Sequence, residues 1–186
     1  MMLKKTSEIS FFLDKGNTIL YPTDTVWGIG CDATNNEAVK KIYKLKKREE
    51  SKSLIILVAS IAMLKEYVED IPLKVLEILE KTEKPTSIIY NKPKNLAANT
   101  IAKDNTIAIR IPKDDFCIQL IEQFGKPIVS TSANISGEST PKSFKEISEE
   151  IKQNVDFIIE TSTDKISAKS STILKIEKDS IITIRE

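Results

Sequence analysis

The chain has 186 residues, 40% apolar and 30% charged, which is enough to build one sizeable core and is not the make-up of a disordered or fibrous protein. Lys plus Arg number 28 against 27 Asp plus Glu, so the net charge is +1 and any contact with nucleic acid has to come from a local basic patch. Histidine is absent: this excludes Ser-His-Asp and Cys-His nucleophiles, histidine-ligated zinc and imidazole acid–base work, and leaves positioning, Lys/Arg electrostatics, carboxylates or a substrate's own groups.

The first helix is expected near 7–15, with Ile9, Phe12 and Leu13 at helical spacing and Gly16 as its stop. Thr18-Ile19-Leu20-Tyr21 then reads as a short buried strand, ended by Pro22. Asn35 or Asn36 caps a helix in which Val39, Ile42, Tyr43 and Lys46 share a face, and Ser53–Val58 reads as a buried strand. Ser60 caps a short helix through Met63, Leu64 and Tyr67. Pro72 suits the first turn of another, with Val75, Leu76, Ile78 and Leu79 inward. Thr86–Tyr90 is a strand and 91–104 a polar surface loop. Thr106–Ile111 is a strand stopped by Pro112, and Asp114 caps a helix that ends at Gly125. Pro127–Thr131 is a further strand. Ser143 and Glu146 have capping-box spacing for a helix to about Gln153. Asp156–Ile159 is a strand, 161–170 is rich in Ser, Thr and Lys, and Thr172–Ile176 and Ile181–Arg185 could pair around Lys178-Asp179. No repeat or internal linker interrupts the pattern, which predicts one α/β domain over 1–186 with a mixed sheet.

Four stretches could carry chemistry. Tyr21–Gly30 holds three short polar side chains, the chain's one Trp (Trp27) and two glycines, with no apolar period. A small-molecule pocket wall needs such groups, and a decorated turn with a core Trp would use the same residues. Ser130–Gly137 offers four hydroxyls and Asn134, able to donate to anionic oxygens or to form Ser/Thr and Asx turns. Lys44, Lys46, Lys47 and Arg48 sit at a helix C-terminus, where cations suit the macrodipole; Lys46 and Arg48 could also reach a bound phosphate. Arg110 shares a strand face with Thr106, opposite Ile107, Ile109 and Ile111, and that face meets either solvent or a ligand.

Neither a P-loop nor a dinucleotide fingerprint is present, and no carboxylate cluster suggests a metal cage. Cys31 and Cys117 are too few for a disulfide framework. The N-terminal residues lack the apolar run of a signal peptide, and no run approaches the ~20 apolar residues of a membrane span. A soluble, cytoplasmic protein is the expectation.

Taken together, Pro22–Gly28, Lys46-x-Arg48, Ile107–Pro112, Lys126–Gly137 and Ser171-Thr172-Ile173 resemble the YrdC/TsaC family of L-threonylcarbamoyladenylate synthases, in order and over nearly the whole chain. The resemblance implies a twisted mixed β-sheet flanked by helices, with a concave basic cavity. It implies a nucleotidyltransferase that condenses L-threonine, bicarbonate and ATP into threonylcarbamoyl-AMP and pyrophosphate, for threonylcarbamoyladenosine modification of tRNA. By resemblance, Thr25, Arg110, Ser130 and Ser171 hold threonine, with Arg110 on its carboxylate. Lys46 and Arg48 face the ATP phosphates and the carbamate. Thr106, Ser132, Asn134, Thr140 and Arg185 line the nucleotide site, and Mg²⁺ arrives with ATP. The implied partners are the transferase machinery that uses the product and tRNA or double-stranded RNA. An RNA- or ribosome-binding module without adenylation is the alternative, and a carbamoyl-adenylate step on another acceptor a third reading. Glu49 and Ser53 stand where the family usually has proline, Lys84-Pro85-Thr86 replaces a Gly-Pro-x-Thr, and Trp27 replaces Tyr or Phe, which could narrow the pocket. Ending at Glu186, the chain is expected to be of the short, single-domain type.

Overall fold

A computed structural model describes residues 2–50, 52–159, 170–177 and 180–186. In chain order its elements are α1 (Met2–Asp14), β1 (Ile19–Tyr21), β2 (Gly28–Gly30), α2 (Asn36–Leu45), β3 (Ile55–Leu57), α3 (Ile61–Tyr67), α4 (Leu73–Lys81), β4 (Thr86–Asn91), β5 (Thr106–Arg110), α5 (Asp115–Phe124), β6 (Ile128–Ser132), α6 (Glu149–Asn154), β7 (Phe157–Ile158), β8 (Thr172–Glu177) and β9 (Ser180–Arg185), with 3-10 turns at Ala98–Thr100 and Phe144–Glu146. Helix starts follow short polar caps. The side chains of Asn35, Ser60, Asp114 and Ser148 each accept a backbone N–H of the first turn. Gly16 and Gly125 close α1 and α5 in the left-handed region, at φ 71° and 73°.

The nine described strands form one mixed sheet in the order β7-β1-β2-β6-β3-β5-β4-β8-β9. Two-residue alternation gives it two distinct faces. Leu20, Ile29, Ile56, Ile88, Ile107, Ile109 and Val129 point to one, where α2, α3, α4 and α6 bury Ile42, Leu64, Val75 and Ile151 against them. Ile19, Tyr21, Leu57 and Ile128 point to the other, under α1 and α5 through Ile9, Leu13, Leu120 and Ile121. The helices on this second face cover only part of it.

Two elements differ from expectation. Gly28–Gly30 is a strand, paired antiparallel with both β1 and β6. Two of its three residues lack side chains, so no periodicity marks it, yet the glycines are what allow the pairing. A Cβ on Gly30 would lie 2.7 Å from the Val129 carbonyl oxygen and 2.9 Å from Tyr21 Cε1. The helix expected from Ser143 is instead a 3-10 turn followed by α6, which is capped by Ser148. Glu146 accepts from the Lys142 N–H, while Ile147 takes an extended conformation and buries its side chain. The turn at Lys178-Asp179 and the polar run of 161–170, apart from Ser170, lie outside the described residues. Among those described, no helix is long and apolar enough to cross a membrane.

Candidate active site

The part of the sheet that α1 and α5 leave bare forms a cavity of about 320 Å³, within the size range of small-molecule sites. Strand register builds its floor. Ser130, Ile55, Ala108 and Ile89 lie side by side on β6, β3, β5 and β4. One row along are Arg110, Ser87, Ile173 and Arg185. Arg48, Arg110 and Arg185 are on the lining, with nine hydroxyl side chains and no carboxylate among the described residues. Such a wall favours anions.

Arg110 is 4% exposed and is held by two consecutive residues of the β1–β2 connection. Its Nη2 pairs with Asp24 Oδ1 at 3.1 Å and its Nη1 donates to Thr25 Oγ1 at 3.1 Å. The Asp24 side chain is buried, and its other oxygen accepts from the Lys113 backbone N–H at 2.9 Å. The Arg110 Nε is buried and has no partner among the described residues. An orphan donor of this kind costs about 1–3 kcal/mol.

The neighbouring hydroxyls have assigned directions. Thr23 donates to the Val26 carbonyl at 2.7 Å and accepts from the Thr25 N–H at 3.0 Å. With the Thr23 proton so engaged, the 3.0 Å contact between the two hydroxyls requires Thr25 to donate to Thr23. Thr25 therefore turns its proton from the cavity and offers it an acceptor lone pair. Gly28 gives these groups room: a Cβ there would meet Thr23 Cγ2 at 3.2 Å and Ser130 Oγ at 3.4 Å. On the far wall, Ser171 Oγ hydrogen-bonds Ser87 Oγ at 2.9 Å. Its carbonyl accepts from Arg185 Nη2 at 2.8 Å and Nε at 3.2 Å. Burial, and then the charge of Arg110, lower the Arg185 guanidinium from its usual value.

The basic end of α2 separates three neighbours. Lys47 is left-handed at φ 49°, its N–H bonding the Lys44 carbonyl and the Arg48 N–H bonding that of Tyr43. This is a Schellman closure with lysine in the usual glycine position. It sends Lys46 inward, Lys47 to an exposed pair with Glu150 at 2.7 Å, and Arg48 to the cavity. Lys46 is 1% exposed and is not on the lining. Its ammonium donates to the carbonyls of Ser132 and Asn134, and its own carbonyl accepts from the Ser136 N–H at 2.8 Å, so the 132–136 segment wraps around it. Burial, and then the charge of Arg48, bring its pKa down to about 7. Arg48 donates from Nε to the Lys52 carbonyl and from Nη2 to that of Ser53, at 3.1 and 3.0 Å, using two of its five N–H groups.

Of the residues singled out in the sequence, Thr25, Arg48, Arg110, Ser130, Ser132, Thr140, Ser171 and Arg185 line the one cavity, and Lys46, Thr106 and Asn134 are not on its lining. Thr106 shares Arg110's face but gives its hydroxyl to Asp104 at 2.7 Å. Asn134 turns its Nδ2 to the Ile135 and Glu138 carbonyls. Trp27 is not a pocket wall. Alternation puts Val26 and Gly28 on the lining and turns the indole to the other face, where it packs on Phe144 at 5.1 Å. Sequence reasoning missed the apolar floor of Ile55, Ala108, Ile89 and Ile173, which cross-strand register alone brings together. It also left Asp24 without a role. Among the described residues, no three metal-ligating side chains gather into a site.

The chain is similar to known proteins. Residues 12–186 match the Sua5/YciO/YrdC family, described as telomere recombination. A Methanocaldococcus jannaschii protein provisionally assigned as a threonylcarbamoyl-AMP synthase is 38% identical over 173 residues, 92% of this chain and 80% of its own. A Photobacterium profundum protein named threonylcarbamoyl-AMP synthase is 34% identical over 154 residues, 81% of this chain and 83% of its own. The solved structure of P. abyssi Sua5 complexed with L-threonine is similar at TM-score 0.88 and 27% identity, covering 97% of this chain and 53% of that one. The chain thus spans about half the length of that Sua5. With the family matched over residues 12–186 and the sheet and cavity arranged as described, the chain belongs to the Sua5/YciO/YrdC family.

Proposed function

We propose that this chain is a threonylcarbamoyl-AMP synthase, a nucleotidyltransferase that joins L-threonine, bicarbonate and ATP into threonylcarbamoyl-AMP and pyrophosphate. The observation that carries the reading is Arg110: a buried guanidinium on the cavity lining, beside Thr25 and Ser130, with its Nε unclaimed. The relatives' names and the threonine complex of the similar Sua5 support it.

In this reading Arg110 pairs with the threonine carboxylate, and Thr25, an acceptor, takes a hydrogen bond from the amino acid's hydroxyl or amine. Ser130 and Ser171 complete that end. Arg48 neutralises the phosphates, and Ser132, Thr140 and Arg185 border the nucleotide over the apolar floor. Thr106, Asn134 and Lys46 act from outside the lining, Lys46 by holding the 132–136 segment in place. Mg²⁺ enters with ATP as part of the substrate. The amine and bicarbonate give a carbamate and water. A carbamate oxygen then attacks the α-phosphorus in line, and pyrophosphate leaves with the electron pair of the broken P–O bond. The protein's task is to align anions and neutralise charge, which needs no histidine.

We read residues 1–186 as one domain of a cytoplasmic enzyme, the buried free thiols of Cys31 and Cys117 suiting a reducing compartment. Its product would pass to the machinery that modifies tRNA. An RNA-binding module without adenylation is not favoured, since the relatives carry synthase names and the basic groups converge on a small cavity. The purified protein, incubated with ATP, Mg²⁺, labelled bicarbonate and threonine, is expected to release pyrophosphate and a labelled adenylate only when threonine is present. No such product from folded protein overturns the reading.

A further inference from the structure

We infer that Asp24 is a positioning residue that sets the orientation of Arg110 and thereby the affinity of the site for an amino-acid carboxylate. The inference rests on the synthase reading above for its substrate, and on the geometry around Arg110 for its substance. Asp24 is not on the cavity lining and its side chain is 6% exposed, so it does not reach substrate. Its two oxygens divide their work. Oδ1 lies 3.1 Å from Arg110 Nη2, and Oδ2 accepts the Lys113 backbone N–H at 2.9 Å. One carboxylate thus ties the end of β5 twice, through a side chain and through the backbone three residues on. Thr25, the next residue, holds Nη1 at 3.1 Å.

The guanidinium is hydrogen-bonded at Nη1 by Thr25, whereas at Nη2 it meets Asp24 Oδ1 as an ion pair outside hydrogen-bond geometry, so Asp24 acts on its orientation through charge and distance. Nε is the nitrogen for which the protein supplies no partner among the described residues. Asp24 also balances the Arg110 charge within the protein. A ligand carboxylate therefore meets a neutralised pair, and its binding depends on where the unclaimed donors sit more than on bare charge. Shifting the Asp24 carboxylate should weaken threonine binding and leave the nucleotide end undisturbed.

Asp24→Glu keeps the charge and moves it by one methylene; Asp24→Asn removes it. Both are expected to raise the threonine KM on the order of tenfold, with the ATP KM changed less than about twofold. An unchanged threonine KM, or equal rises for both substrates in folded protein, overturns the inference. Should Asp24→Asn fail to fold, Asp24→Glu carries the test. A second readout needs no turnover. In ligand-free wild type, ¹⁵N NMR of the Arg110 guanidinium, assigned by its loss in Arg110→Lys, is expected to show separate, slowly exchanging Nη signals that merge in Asp24→Glu. Identical spectra in the two proteins overturn the inference even if the wild type makes no adenylate. That absence of product would count against the synthase reading alone.

Discussion

At the scale of single residues, the run Lys46-Lys47-Arg48 shows how three adjacent cations acquire three roles from one turn of backbone. Lys47 is exposed and paired with Glu150, whereas Arg48 lines the cavity with most of its N–H groups free of the Lys52 and Ser53 carbonyls. Loss of one hydrogen-bond donor at a transition state typically costs about 10²–10³-fold in rate. Arg48→Ala is therefore expected to lower kcat/KM by roughly that factor, and Lys47→Ala by less than about twofold. Equal losses in the threonine-dependent assay would remove Arg48 from the site. Lys46 gives a different signal. Its pKa is about 7 in the folded protein against an ordinary 10.5. Between these values the unfolded chain binds a proton that the folded chain does not, so stability rises with pH across that window and flattens below it. Each unit of separation is worth about 1.4 kcal/mol. Urea titrations at pH 7, 8 and 9 should show the rise, and Lys46→Met should remove its share. A slope unchanged by that substitution would mean the ammonium is not desolvated.

At the scale of elements, the features that sequence could reveal are those written in side chains. Asn35, Ser60 and Asp114 mark helix starts, Gly16 and Gly125 mark stops, and the Ile row of β5 places Arg110 opposite the helix-covered core face. What stayed hidden is written in backbone and in register. Gly28–Gly30 pairs because it has no Cβ to obstruct Tyr21 and Val129, and an absence gives no periodicity to read. The close of α2 was equally concealed, since a left-handed cap usually announces itself as glycine and this one is Lys47. Both features can be tested by stability. A non-glycine residue in the left-handed region costs about 1–2 kcal/mol locally, and glycine's extra unfolded-state entropy offsets part of any gain. Lys47→Gly should then stabilise the protein by roughly 0.5–1 kcal/mol, the exposed Glu150 pair being worth little. Gly30→Ala should destabilise by about 1–3 kcal/mol, because its Cβ meets a backbone oxygen at 2.7 Å that cannot swing aside. Gly28→Ala, with contacts of 3.2–3.4 Å to side chains, should cost less. Urea denaturation of the two variants ranks them, and the reverse order would contradict the described β2–β6 packing.

At the scale of the whole molecule, the asymmetry of the sheet explains where a ligand acts. One face is covered by four helices; the other is packed by α1 and α5 over β1 and its neighbours and open over β5, β4 and β8. Among the described residues, β8 and β9 join the rest of the sheet through the single β4–β8 pairing, aided by the Ser87–Ser171–Arg185 hydrogen bonds. A ligand in the cavity touches residues from the β1–β2 connection at one wall and from β8 and β9 at the other, so it links parts of the sheet that are distant in strand order. Binding to the folded chain alone adds RT ln(1 + [L]/Kd), about 2.7 kcal/mol at a hundredfold excess over Kd. At this length 1 kcal/mol raises Tm by roughly 2–4 °C, so saturating threonine should raise it by about 5–10 °C. Arg110→Lys keeps a positive charge but lacks the planar fork that pairs with Asp24 and hydrogen-bonds Thr25. Its Tm should shift little at the same threonine concentration, with MgATP still stabilising it. A full threonine shift in Arg110→Lys would show that the carboxylate is bound elsewhere in the cavity and that Arg110 serves only the fold.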